Sequence, residues 1–152
     1  MTKEELKRLK KETKTKIVEV TAIRMKKRHK FEYKRSPKGA YCFKDKKIYI
    51  LKRMSNEKKY AVILHELAHA LCHEAKCRCL KQDNYKMAEI HAMAYSLDRM
   101  YKEKRWKILE WMTICILGWA SEKDNGDGFC AARLIKNTKI LSFYMRACKK
   151  FA

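Results

Sequence analysis

Residues 61–72 read Ala61-Val62-Ile63-Leu64-His65-Glu66-Leu67-Ala68-His69-Ala70-Leu71-Cys72. The run carries no charge except Glu66, in a chain where 36% of the residues are charged. An apolar stretch of this length without Gly or Pro predicts a buried helix. Residues four apart on a helix stand on one face, one turn apart. His65 and His69 therefore present two imidazoles to the same side, and two imidazole nitrogens so placed reach one Zn²⁺ at about 2.0–2.1 Å. Glu66 projects beside the same point, where a carboxylate accepts a proton from an attacking water and returns it to a leaving amine. A surface helix with two incidental histidines would be broken by Lys and Glu, as the rest of this chain is.

A catalytic zinc usually takes three protein ligands and leaves a fourth position open, so a third ligand must come from another segment. Glu89 is the first candidate. Around it Ala88, Ala92 and Ser96 recur every four residues, and a face of small side chains lets a second helix approach the first closely. His91 is the alternative. It lies two residues from Glu89, points to another side of the helix, and cannot share the ion with it. His73 extends the row of His65 and His69, but three residues spread over about 12 Å of helix do not wrap a tetrahedral ion. It is expected behind a ligand or at the rim of the cleft. Tyr95 is a candidate hydrogen-bond donor to an oxyanion. Trp106, Trp111 and Trp119 fall at helical spacing and read as core. One Zn²⁺ per chain is expected.

The 152 residues suffice for one domain, 1–152, and 47% hydrophobic content excludes a disordered chain. No run of 18 apolar residues predicts a membrane span. Met1-Thr2-Lys3-Glu4-Glu5 lacks the apolar segment of a secretory signal, so a cytoplasmic protein with reduced thiols is expected. Seven cysteines fit that reading. Cys72, Cys77 and Cys79 suggest a second metal cluster, but no C-x-x-C pair or second half accompanies them. Net charge is +21, and residues 1–60 hold 22 of the 38 Lys/Arg against 7 of the 17 acids. The run Lys26-Lys27-Arg28 marks a candidate nucleic-acid contact. A generally Lys-rich composition without a partner explains the charge equally well. Nothing in the sequence specifies an oligomeric state.

The fold class predicted is α+β, with a small N-terminal antiparallel sheet followed by helices. Thr2-Lys3-Glu4-Glu5 forms a capping box for a first helix with Leu6 and Leu9 on its apolar face. Ile17 to Met25 and Lys30 to Arg35 read as strands, and Ser36-Pro37-Lys38-Gly39 as a turn. Ala40 to Lys44 and Lys47 to Leu51 form a hairpin about Asp45-Lys46, with one core face and one strongly positive face. Asn56 caps the motif helix, which runs to about Ala75. Helices follow from Tyr85 to about Lys104, capped by Asp83 or Asn84, and from Trp106 to Ala120, the latter apolar nearly all round. Ser121 to Gly128 reads as a loop and Phe129 to Phe151 as a last helix. Residues 1–55 thus form a basic helix and sheet, and 56–152 a helical part.

His65-Glu66-x-x-His69 is the H-E-x-x-H signature of zinc metallopeptidases. With the downstream Glu89, Ala92, Tyr95, Ser96 and Leu97, and a strand before the motif helix, residues 40 to 100 resemble the ImmA/IrrE-type metallopeptidases. That resemblance implies a gluzincin-like site with the downstream glutamate as third ligand, and a protein substrate such as a repressor. The chain has Leu97-Asp98-Arg99-Met100 where that family has Leu-Met-Pro, and no DNA-binding helix-turn-helix. SprT-type metallopeptidases, which act on proteins attached to DNA, are similar in motif, size and charge. Their third ligand is a histidine, and Asp127 stands in that place here. The expectation is a zincin-like, zinc-dependent endopeptidase acting on a protein substrate. The alternative is a non-catalytic, zinc-containing basic module that binds nucleic acid or an acidic protein.

Overall fold

The computed structural model describes residues 2–13, 15–28, 38–76 and 85–120. The first helix, α1 (Lys3–Thr13), is capped reciprocally: the Glu5 N–H donates to Thr2 Oγ1 at 3.1 Å and the Thr2 N–H to Glu5 Oε2 at 2.6 Å. There follow β1 (Lys16–Val20), α2 (Ala22–Arg28), β2 (Gly39–Cys42), β3 (Lys47–Leu51), α3 (Asn56–Glu74), α4 (Tyr85–Lys102) and α5 (Trp106–Ala120). The architecture is α+β, with a three-stranded sheet in the order β1-β3-β2. Among the described residues no helix is long and apolar enough to cross a membrane.

β2 and β3 form the expected antiparallel hairpin, with Tyr41 opposite Ile48. Its turn is anchored by the Tyr49 hydroxyl, which donates to Asp45 at 2.8 Å. β1, however, runs parallel to β3, with Val18 opposite Tyr49, so the sheet is mixed rather than antiparallel. β1 and β3 are not chain neighbours. The chain passes through α2 before the hairpin begins, and a crossover of that kind permits a parallel neighbour.

The reading of Ile17 to Met25 as one strand also gives way. The strand stops at Val20. Thr21 then caps α2, its Oγ1 accepting the Arg24 N–H at 3.4 Å and its carbonyl the Met25 N–H at 2.9 Å. Helical spacing turns Ile23 to solvent, 71% exposed, and buries Met25 at 1%. Met25 packs with Val20, Ala40 and Tyr49 into a second core cluster. The sheet face expected to be strongly positive is therefore apolar and covered by α2. This explains why Ile48, Tyr49 and Ile50 of β3 are all buried. The expected strand at Lys30 to Arg35 lies outside the described residues, as do the loop and helix after Ser121 and the cap of α4.

The other sheet face meets the helices. Ile17, Tyr41, Ile48 and Ile50 join Tyr60, Ile63, Leu64 and Leu67 of α3, with Met93, Leu97 and Met100 of α4 and Leu109 and Met112 of α5. Each fully buried aliphatic side chain contributes about 1.5–3 kcal/mol by leaving water. α3 is capped one residue earlier than expected: Ser55, with φ −62° and ψ 153°, accepts the Lys58 N–H at 3.4 Å. α5 has the expected bounds but is not buried all round, since Trp106 and Ile114 are 40% and 50% exposed.

α1 joins the helices rather than the sheet. Leu9 is fully buried in the main core. Arg99 of α4 donates to Glu12 at 2.9 and 3.0 Å and to Glu103 at 2.8 Å, and Arg8 reaches Glu103 at 3.1 Å. Arg105 bonds Glu5 and Glu103, and the Tyr60 hydroxyl donates to Glu103. Three arginines and three glutamates thus fasten α1 to the far end of α4.

Candidate metal centre

α3 carries His65 and His69 one turn apart, and α4 lies against it. Ala88, Ala92 and Ser96 are buried on α4, as the four-residue spacing predicts. The close packing brings Glu89 to the histidines. His65 Nε2 lies 3.1 Å from Glu89 Oε2, His69 Nε2 lies 3.1 Å from Glu89 Oε1, and the two Nε2 atoms are 3.2 Å apart. The three side chains are only 13–18% exposed. Among the described residues they form the one group of three or more donors able to hold a metal ion.

Two observations test whether this set fits zinc. Ligands bonded to one tetrahedral zinc at about 2.0–2.1 Å stand about 3.3–3.4 Å from each other. The two imidazole nitrogens stand 3.2 Å apart, just inside that spacing, and Glu89 brings a different oxygen to 3.1 Å of each, Oε2 to His65 and Oε1 to His69. Protons account for only part of the arrangement. Each Nε2–H can donate to its own oxygen of Glu89, His65 to Oε2 and His69 to Oε1, but the two Nε2 atoms also stand 3.2 Å from each other, a contact that two N–H groups do not favour. A cation between the three groups turns all of these contacts to account at once.

Glu66 is held separately. It is 8% exposed, and its Oε2 accepts the Tyr41 backbone N–H at 2.8 Å. The hairpin register explains why that N–H is available. The Leu51 N–H donates to the Lys38 carbonyl at 3.0 Å, so residues 38, 40 and 42 turn their backbone groups toward β3. By the same alternation, Gly39 and Tyr41 turn theirs outward, along the edge where Glu66 lies. Gly39 lets α3 come this near. A Cβ at that position would lie 2.4 Å from Val62 Cγ1, 3.1 Å from Glu66 Cγ and 3.2 Å from Glu66 Oε1. Gly39, expected in a turn, opens β2 instead, with no positive φ, and what it provides is close approach.

The electrostatics follow from burial and the neighbouring imidazoles. Burial pushes the Glu66 carboxyl above the usual range, outweighing the attraction of His65 and His69. Burial also raises Glu89, but hydrogen bonds and charge from His65 and His69 outweigh it and hold the carboxylate well below its usual value. Burial pulls His65 down, and the hydrogen bond to Glu89 with the charges of Glu66 and Glu89 raises it overall. The centre therefore has one firmly ionised carboxylate between two imidazoles and a second carboxyl that holds a proton more readily.

The remaining candidates lie elsewhere. The ring of His73 lies 5.1 Å from that of Phe43 and 6.0 Å, edge-on, from that of Tyr41, one turn beyond His69 and outside the donor group. His91 is not part of the donor group. The Tyr95 hydroxyl accepts from Arg99 at 3.2 Å, which turns it into the ion network with α1 rather than toward an oxyanion. Lys26, Lys27 and Arg28 fall on α2, where Lys27 is exposed. Cys42 and Cys115 are free thiols, Cys72 lies near the C-terminal end of α3, and Cys77, Cys79 and Asp127 lie outside the described residues. Tyr41 and Gly39 escaped the sequence reading as site residues. The available signal was a glycine at the start of an otherwise β-forming run. Comparison of the chain with protein-family models, with curated proteins and with solved structures finds no match.

Proposed function

We propose that this protein is a zincin-like, zinc-dependent endopeptidase, resembling the ImmA/IrrE-type metallopeptidases and acting on a protein substrate in the cytoplasm. The observation that carries the proposal is the convergence of His65, His69 and Glu89 from two helices beside a separately held, buried Glu66. When bound by these three residues, Zn²⁺ supplies Lewis-acid chemistry, polarising a carbonyl and lowering the pKa of a water toward about 7. Glu66 is the proton carrier. Its carboxylate takes the proton of the attacking water and later delivers it to the leaving amine. The Tyr41 N–H fixes its orientation, so no rotamer search precedes each transfer. With the Tyr41 N–H committed to Glu66, the outward carbonyl of Tyr41 and the outward groups of Gly39 give an extended peptide a backbone edge to pair with beside that carboxylate.

Glu66→Gln tests the assignment, because it keeps shape and loses the proton acceptor. Zinc-loaded wild-type protein should cleave members of a peptide library, and the variant should keep its zinc and lose cleavage. Loss of zinc in that variant would show that Glu66 is a ligand rather than a proton carrier.

A further inference from the structure

Three segments converge on the indole of Trp111. Lys38, immediately before β2, places its Nζ 4.7 Å from the ring centre, and Lys58, in the first turn of α3, places its Nζ at 5.4 Å. Both lysines are exposed, and neither forms an ion pair with any described residue. Trp111 is half-buried and packs against the main core, so the platform is fixed while the two ammonium groups face water. Two like charges drawn over one aromatic ring repel each other and are relieved by an anion shared between them.

Two distances place this pair relative to the metal centre. Lys58, Val62 and Glu66 are successive turns of one face of α3, so Lys58 stands about 12 Å along the axis from Glu66. On the neighbouring strand Lys38 is three residues from Tyr41, whose N–H holds Glu66, or about 10 Å of extended chain. Both routes equal three to four residues of an extended peptide lying along the edge of β2. We infer that Lys38, Lys58 and Trp111 form a subsite for an acidic side chain three or four residues from the bond cut at the metal centre. The inference rests on the peptidase reading above and adds a substrate class to it. A nucleic acid is the poorer fit. Its affinity is built from a run of some 6–10 phosphate contacts, whereas this is a single pair of cations beside a backbone edge.

The test is cleavage-site profiling of a proteome-derived peptide library by mass spectrometry, with zinc-loaded wild type, Lys38→Gln/Lys58→Gln and Lys38→Glu/Lys58→Glu. The expected result is Asp and Glu enriched roughly three- to tenfold at the third or fourth position on one side of the cut. The enrichment should vanish in the neutral variant and invert to Lys and Arg in the reversed one, with zinc content unchanged in both. A purely structural role for the lysines would not invert the preference. Cleavage without an acidic preference, or a preference that survives in the neutral variant, overturns the inference and leaves the peptidase reading standing. No cleavage of any library member by the wild type sinks both. Salt-sensitive binding of single-stranded DNA, lost in the neutral variant with no acidic preference in cleavage, would reassign the pair to nucleic acid and overturn it as well.

Discussion

Gly39→Ala is the most informative single change in this protein. The new Cβ would sit 2.4 Å from Val62 Cγ1. Carbon atoms in contact prefer about 3.5–4.0 Å, so strand and helix must part by about 1 Å or more. Val62 cannot swing aside, because a valine on a helix is confined largely to one χ1 well. Overpacking of this kind costs about 1–3 kcal/mol, and the reduced freedom of alanine in the unfolded chain returns about 0.4–1 kcal/mol. The net loss should be about 1–2 kcal/mol. It is read as a lower urea midpoint at unchanged slope. Catalysis should suffer more than stability. The contact that opens is the one aligning Glu66 with Tyr41, and a displacement of about 1 Å there costs on the order of 100-fold in turnover. Zinc should be retained, since the atoms a Cβ at Gly39 meets first belong to Val62 and Glu66 rather than to His65, His69 or Glu89. In a Val62→Ala background, where Cγ1 is absent, the same substitution should cost much less. Gly39→Ala at wild-type stability and turnover, or with equal effect in both backgrounds, would refute the close-approach reasoning.

Two other outcomes follow from the network that fastens α1. Arg99→Met removes the partner shared by Glu12, Glu103 and Tyr95 and should cost about 1–3 kcal/mol in a denaturation curve, with zinc content unchanged; an unaltered midpoint would show that Arg8 and Arg105 suffice. The Arg99 hydrogen bond holds the Glu12 carboxyl below its usual range, against a smaller upward push from burial. A depressed folded value stabilises above the unfolded value of about 4.3 and is lost as pH falls through the folded one, so stability should decline below about pH 4.3. Glu12→Gln should flatten that decline, and identical acid limbs for the two proteins would contradict the assignment.

The features legible in the sequence are those fixed by local periodicity and chemistry. His65 and His69 share a face because they are four apart, Thr2 and Glu5 cap because they are three apart, and β2 and β3 pair because a short turn joins them. Glu89 was reachable from the small-residue spacing of Ala88, Ala92 and Ser96. What escaped depends on partners distant in the chain. The parallel pairing of β1 with β3 is a tertiary choice that no local pattern encodes. α2 was hidden because Val20, Ile23 and Met25 suit a strand as well as a short helix. Thr21 as a cap and the run of Arg24, Lys26 and Lys27 were the signals against a strand. The positive sheet face failed with it, since Met25 needed a surface to cover. The hold of the Tyr41 backbone on Glu66 carries no side-chain signature at all.

Metal content per chain, measured by elemental analysis on protein purified without added metal or a histidine tag, decides whether His65, His69 and Glu89 hold zinc. Close to one zinc per chain in the wild type, with zinc lost in His69→Ala and Glu89→Ala variants that remain folded, is the predicted result. A folded protein that carries no zinc and takes up none when it is supplied would contradict it, and would leave His65, His69 and Glu89 as a hydrogen-bonded cluster between two helices.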